Sequence, residues 1–219
     1  MAVEKGDFVK IHYTGRVKDT DEVIDTTRKE VAEEHDLNVE SGPVVVVVGA
    51  GMVWEPVEEA LVGAEPGDEL EVEVPPEKAF GERDPSLVRT YRESEFRGSV
   101  KPGDTVVSPD GRRGRVLSVD GGRVRVDFNH PLAGKALVYE VEVVDVLEDT
   151  VERAEGLLET MVPSVDAELE LDGNTLRVRV EGDDAANPAW ARAKQRFAKL
   201  MIEYDDAVEE VVFEERFTE

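Results

Sequence analysis

The chain has 219 residues, enough for one large domain or two to three small ones. It carries 51 Asp and Glu against 26 Lys and Arg, a formal net charge of -25, and no cysteine. This excludes disulfides, thiol catalysis and cysteine-ligated metals, and it argues against binding a phosphate backbone. The carboxylates are spread along the whole length, as on the solvated surface of a halophilic protein; such a surface attracts basic partners and repels nucleic acid. No run approaches the roughly 18 apolar residues of a membrane span. The opening MAVEKGDFVKIHY has no apolar signal block, so no membrane and a cytoplasmic location are expected.

Residues 7–13, DFVKIHY, alternate, with Val9, Ile11 and Tyr13 on one face and Lys10 and His12 on the other. That predicts a half-buried strand with His12 toward solvent. Thr14-Gly15-Arg16 reads as a bend, and residues 17–24 as a weaker strand around a polar turn. Asp25-Thr26-Thr27 stands where the chain leaves the sheet, and residues 28–42 form a polar excursion with a weak helical pattern. Residues 44–48 are five valines, expected to be a strand buried on both faces. Gly49-Ala50-Gly51 then turns the chain. Val53, Val57, Ala60 and Leu61 fall on one helical face, with Pro56 in the first turn and Gly63 to end it.

A valine run entering Gly-Ala-Gly invites a dinucleotide site. Three features exclude it: Trp54 stands where a third glycine is required, the helix is only about ten residues, and the next strand is of the wrong kind. There Leu70, Val72 and Val74 alternate with Glu69, Glu71 and Glu73, the pattern of an antiparallel strand with one wet face.

Beyond Gly81 the character changes. Short strands at 105–107, 114–117 and 123–128, with turns at Asp110-Gly111 and Asp120-Gly121-Gly122, mark a small β unit over 86–128. A long strand follows over 136–147. Residues 152–161 read as a helix or an extended arm. Strands at 167–171 and 176–180 flank the turn Asp172-Gly173-Asn174. Asn187-Pro188 starts a helix with Trp190, Ala193, Phe197, Leu200 and Met201 on one face, and a final strand covers 207–217. The apolar helix and last strand suggest self-association as a homodimer, or client binding.

IHYTGRV at 11–17, VIDTT at 23–27, GAGMVWEPVEEALVGAEPGDE at 49–69, PPEKAFGE at 75–82, NHPLAGK at 129–135 and LVYEVEVVDV at 137–146 come in a specific order and spacing. In these motifs the chain resembles an FKBP-type peptidyl-prolyl cis-trans isomerase of the SlyD-like, long archaeal kind, over about residues 3–149. The resemblance implies an α+β fold: a bent antiparallel sheet wrapping a short helix, the FKBP-like half-barrel, over 1–85 and 129–149. It further implies an inserted small β domain, the insert-in-flap chaperone domain, over 86–128. A C-terminal ββαβ-type α+β domain takes 150–219. The implied isomerase pocket is lined by Tyr13, Asp25, Val53, Trp54, Val57, Phe80, Leu132 and Tyr139, with no cofactor and no metal. Two positions depart from the family pattern. Val57 replaces the frequent Trp floor, and Phe80 stands where a Tyr commonly supplies a hydroxyl. The implied partners are unfolded or proline-containing polypeptides. The alternative on the same fold is a non-catalytic holdase or peptide-binding module.

Without the resemblance, Tyr13, Val53, Val57 and Tyr139 read as core, Trp54 as core or a surface aromatic, Asp25 as a turn cap, and Phe80 as a plug at a sheet end. His12, His35 and His130 lack the spacing of metal ligands, and His130 is expected to brace its loop. Arg112, Arg113, Arg115, Arg123 and Arg125 leave three readings open for the insert: arginines that merely solvate strands, an SH3-like or KOW-like surface for RNA, or a unit that captures unfolded peptides. The net charge weighs against RNA.

Overall fold

A computed structural model describes residues 1–39 and 42–217. The chain runs β1 (Phe8–Val17), β2 (Val23–Thr26), α1 (Lys29–Glu34), β3 (Val44–Val47), α2 (Glu55–Leu61) and β4 (Glu69–Val74), then β5 (Val88–Arg92), β6 (Thr105–Val107), β7 (Arg113–Asp120) and β8 (Arg123–Asp127). It continues through β9 (Leu137–Leu147), α3 (Thr150–Met161), β10 (Glu168–Asp172), β11 (Thr175–Glu181), α4 (Gly182–Ala185), α5 (Pro188–Tyr204) and β12 (Glu210–Arg216). Two compact units result, one made of Met1–Val74 and the chain from Leu137 onward, the other of Pro75–Ala136.

In the first unit the sheet order is β2-β1-β9-β4, with β3 also paired to β1. β1 does not bend at Thr14-Gly15-Arg16. It stays paired with β9 from Phe8 to Val17, and opposite Lys10–Ile11 it is β9 that bulges, with Val144 as the extra residue. Its other edge is shared by β3 along Phe8–Ile11 and by β2 along Thr14–Arg16, where β2 bulges with Ile24 as the extra residue opposite Gly15–Arg16. Bulges of this kind bend a strand and increase its twist. α2 packs against β4. It begins at Glu55 with Pro56 in its first turn, so Val53 lies in the preceding turn rather than on the helix.

The valine strand is buried on both faces because β3 separates two cores. Phe8, Val45, Val47 and Leu147 share one apolar cluster with Ala154, Leu157 and Leu158 of α3 and with Trp190, Phe197 and Met201 of α5. Residues 150–217, set apart in the sequence as a third domain, therefore complete a core that β1 and β3 begin. Two features seat α3 on β3. A Cβ on Gly156 would lie 2.5 Å from Val45 Cγ2, so glycine allows the close approach. The Thr160 hydroxyl accepts from the Val45 N–H at 2.7 Å and donates to the Gly156 carbonyl at 2.8 Å, which satisfies a donor of an edge strand.

At the other end of α3, buried Asp205 accepts from Arg153 at 3.1 Å and from the Thr150 hydroxyl at 3.3 Å. Arg153 also donates to the Leu147 carbonyl at 2.8 Å and lies over the Phe8 ring. Asn187 caps α5 by accepting from Ala189 N–H at 2.8 Å. The helix then carries the chain over the sheet β10-β11-β12, so that β12 returns parallel to β11. The apolar face of α5 that suggested self-association is buried in this chain's own core.

The second unit is an antiparallel sheet of order β5-β8-β7-β6. Its core is Val100, Val116, Val124 and Val126, with Tyr91, Phe96 and Phe128 packed against them. β5 has no counterpart among the strands expected from the sequence, because its arginines break the apolar pattern of VRTYR. The unit extends beyond 86–128: the Gly134 N–H donates to the Gly81 carbonyl at 2.8 Å, Arg83 pairs with Asp127 at 2.6 Å, and Asn129 bonds the backbone of Asp84.

Replacing Gly156 with Val tests the contact between α3 and β3. Overpacking against Val45 should lower stability by about 1–3 kcal/mol, read as a drop of several degrees in Tm. An unchanged or raised Tm would contradict this packing.

Candidate functional site

Register places four residues in one row across the sheet. Asp25 of β2 lies opposite Gly15 of β1, Gly15 opposite Tyr139 of β9, and Tyr139 opposite Val72 of β4. Residues directly opposite share a face, and Tyr13, two residues before Gly15, shares it too. Gly15 is the device that makes the row possible. A Cβ there would fall 2.7 Å from the Tyr139 ring, so only glycine lets that ring lie across β1 toward Tyr13 and Asp25.

Two hydrogen bonds fix the rings. The Tyr13 hydroxyl donates to Asp25 Oδ2 at 3.0 Å, and the Trp54 indole N–H donates to the Tyr139 hydroxyl at 2.9 Å. The Tyr13 and Tyr139 rings are 5.8 Å apart and tilted by 53°, within the range of favourable aromatic pairs. Trp54 ends the glycine turn and occupies the N-cap position of α2. The turn is stiffened by Glu58, whose buried carboxylate accepts from the Met52 N–H at 2.8 Å. Gly49 and Gly51 supply the left-handed backbone at φ +90° and +67°.

Behind the row, Thr27 Oγ1 accepts from the Tyr13 N–H at 2.9 Å, and Thr14 and Thr26 bond each other in a buried pair at 2.9 Å. His12 is not free in solvent as expected. It is half-buried, with Nδ1 3.0 Å from Thr27 Oγ1, because β2 and the start of the excursion cover that face of β1. Burial, then the charge of Arg28, lower its pKa against the opposing pull of Glu142 and Glu30. Burial, reinforced by the neighbouring Asp25, pushes the Tyr13 hydroxyl far above the ordinary tyrosine value. Burial raises Tyr139 as well, against the opposing Trp54 hydrogen bond.

Tyr13, Asp25, Trp54 and Tyr139 are thus tied in two bonded pairs whose rings meet. Val57 is 2% exposed and Val53 half-buried. A cleft of about 360 Å³ opens beside Tyr13 and Asp25, walled by Pro43 and Val44 and by Glu159, Thr160 and Pro163 at the end of α3 and just beyond it. Phe80 and Leu132 belong to the second unit. There Phe80 stacks on His130, with ring centroids 4.3 Å apart and 7° between planes. His130 Nδ1 accepts from the Leu132 N–H at 3.2 Å, so His130 braces its loop. Gly15 is the member of the site that sequence reasoning took for a bend; its signal was a glycine inside an otherwise continuous strand pattern. Among the described residues no group of three His, Asp or Glu side chains is placed to hold a metal ion.

A family model described as FKBP-type peptidyl-prolyl cis-trans isomerase matches residues 1–144. The chain is 36% identical over 149 residues to a short-type peptidyl-prolyl cis-trans isomerase of Methanocaldococcus jannaschii, covering 66% of this chain and 94% of that one. It is 37% identical over 163 residues to the FKBP-type peptidyl-prolyl cis-trans isomerase SlyD of Treponema pallidum, covering 72% and 86%. It is also 37% identical over 130 residues to SlyD of Aeromonas hydrophila, covering 56% and 61%.

The raised hydroxyl values have a measurable consequence. The unfolded chain ionises its tyrosines near pH 10, whereas Tyr13 and Tyr139 stay neutral to higher pH in the fold. The stability they contribute is complete below about pH 10 and is lost as pH rises toward their folded values. An absorbance titration of tyrosinate should therefore show late-ionising groups, and Tyr13→Phe should remove the latest. Ionisation of Tyr13 at the ordinary value would contradict the half-buried bond to Asp25.

Proposed function

Because the chain belongs to the FKBP-type peptidyl-prolyl cis-trans isomerase family and is an enzyme of that type, we propose that it turns Xaa-Pro bonds over the face joining Tyr13, Asp25, Trp54 and Tyr139. The observation that carries this reading is the pair of hydrogen bonds, Tyr13 to Asp25 and Trp54 to Tyr139. They hold aromatic surface in a fixed arrangement, and a cleft opens at its Tyr13–Asp25 end.

Prolyl isomerisation breaks no bond. Its barrier is the loss of amide resonance, about 18–20 kcal/mol for a peptide bond, and the uncatalysed step takes tens of seconds or longer. The twisted transition state has less charge separation than the planar amide, so a water-poor apolar surface favours it, and gripping the proline ring supplies orientation. The half-buried Tyr13, Val53 and Trp54 offer that surface, with the buried Tyr139 behind them, bonded to Trp54 and tilted against Tyr13. Asp25 acts by fixing the Tyr13 ring rather than as a proton donor. Val57 gives a smaller floor than an aromatic residue would. Phe80 has no hydroxyl to offer a substrate carbonyl.

The second unit, in this reading, is the insert-in-flap domain and acts as a chaperone for unfolded or partly folded clients. Its sheet ends in two edge strands, β5 and β6, and Val107 on β6 is 63% exposed. Edges of this kind accept an extended peptide by strand addition. Two chain connections tether the unit to the isomerase domain, which raises the local concentration of a captured client.

The test is proline-limited refolding of a model protein, run beside isomerisation of a short proline peptide. The full chain should accelerate both. Replacing 86–128 by a short linker should strongly reduce the refolding effect and leave the peptide reaction intact. Gly15→Ala, which forces the Tyr139 ring to move, should slow both by about tenfold to a hundredfold. A full-rate Gly15→Ala enzyme would overturn the assignment of the face. Equal refolding without 86–128 would overturn the chaperone role.

A further inference from the structure

Charge is not spread evenly over this chain. Residues 75–136 carry 12 Lys and Arg against nine Asp and Glu, while the other 157 residues carry 14 against 42. The second unit is net basic on a protein whose total is -25.

The excess has a place. On β8, Arg123 and Arg125 alternate with the buried Val124 and Val126, so both arginines point away from the unit's core. β7 does the same with Arg113 and Arg115 around Gly114 and Val116. Register puts Arg115 opposite Thr105, Arg113 opposite Val107, and Arg123 opposite Arg92. The outer face of this sheet is therefore a field of exposed guanidinium groups, joined by the exposed Leu117 and Val107. Two acids share this face: Asp120, opposite Arg123, and Asp127, opposite Arg115 and engaged by Arg83 and Asn129. Among the described residues Arg113, Arg115, Arg123 and Arg125 make no ion pair, in contrast to Arg177 and Arg179 on β11, which pair with Glu214. A groove of about 820 Å³ adjoins Arg113 and Arg115 and is also lined by Lys135 and Leu117.

Solvating a strand does not need arginine here. The exposed positions of β4 are Glu69, Glu71 and Glu73, and those of β10 include Glu168, Glu170 and Asp172. We infer that the arginine face of the second unit, with the open edge of β6, binds acidic segments of unfolded polypeptide. This deepens the chaperone reading above and rests on it. Carboxylates pair with the guanidinium groups, and apolar side chains between them settle on Leu117 and Val107. Single-stranded nucleic acid fits less well. Tyr91, Phe96 and Phe128 pack on the core side, and His130, the ring that lines the groove beside Arg113 and Arg115, is already stacked on Phe80, so a base finds little to stack on there.

The experiment measures binding of the full-length protein to two fluorescent, unstructured peptides matched in length and hydrophobicity, one Glu-rich and one Lys-rich. Oligouridylate is a third probe. The Glu-rich peptide should bind at least about tenfold more tightly than the Lys-rich one and weaken with added salt. Arg113→Gln with Arg115→Gln should abolish most of that preference. The control, Arg97→Gln with Lys101→Gln, removes the same charge outside this face and should keep the preference. Isomerisation of a short proline peptide should be unchanged in both. Equal binding of the two peptides would overturn the inference while leaving the chaperone role standing; binding of neither would remove the chaperone role itself. Tighter binding of oligouridylate, or salt-sensitive self-association lost in the first variant, would assign the face to RNA or to a second copy and overturn the inference.

Discussion

Phe8 and Val9 are adjacent on one strand and both are fully buried, on opposite faces. That constraint organises the first unit. One face of β1 is joined to α3 and α5 through Phe8, Val45 and Val47. Successive residues of β3 serve the two faces in turn. The residues proposed for the site lie further along β1, at Tyr13 and Gly15, where β2 has replaced β3 as the neighbour. A strand held from both sides fixes its side chains more firmly than an exposed one, which is what a site built on ring orientation requires. Burial of one large aromatic side chain such as Phe8 is worth about 1.5–3 kcal/mol, so the residues after β9 contribute rigidity as well as walling the cleft beside Tyr13 and Asp25.

In the proposed reading the site works through what it excludes. A rotation about an amide needs no nucleophile and no proton transfer, and the structure offers rings, a buried valine and hydrogen bonds that lock them. The two raised tyrosine values express the same physics: burial disfavours the tyrosinate at Tyr13 and Tyr139. Gly15 shows how closely this arrangement is fitted, since one added carbon would meet the Tyr139 ring.

Much of this was legible in the chain. Period-two alternation gave β4, β8 and β9, and the valine run announced a strand covered twice. The ordered motifs around Tyr13, Asp25, Trp54 and Tyr139 named residues that the fold brings together. What covered the second face of the valine run was not legible, because the partner lies more than 100 residues away at Gly156 and Thr160 and no local pattern links them. Thr14-Gly15-Arg16 misled because its composition is that of a turn, whereas ladder pairing with β9 overrides local preference. The net charge masked the arginine face, since a chain-wide total hides a reversal of sign confined to 62 residues.

The central claim is that a proline segment settles against the face held by Trp54 and Tyr139. The chain has two tryptophans, and they differ in exposure. Trp190 is fully buried, its indole N–H bonded to Glu215 at 2.8 Å, while the half-buried Trp54 bonds Tyr139. Titrating the protein with a short proline peptide while following the two indole N–H resonances by NMR tests the claim against an internal control. The Trp54 resonance should shift and saturate with the same Kd with which the peptide competes in the isomerase assay, and the Trp190 resonance should stay in place. A peptide that is isomerised while the Trp54 resonance does not move would contradict the account.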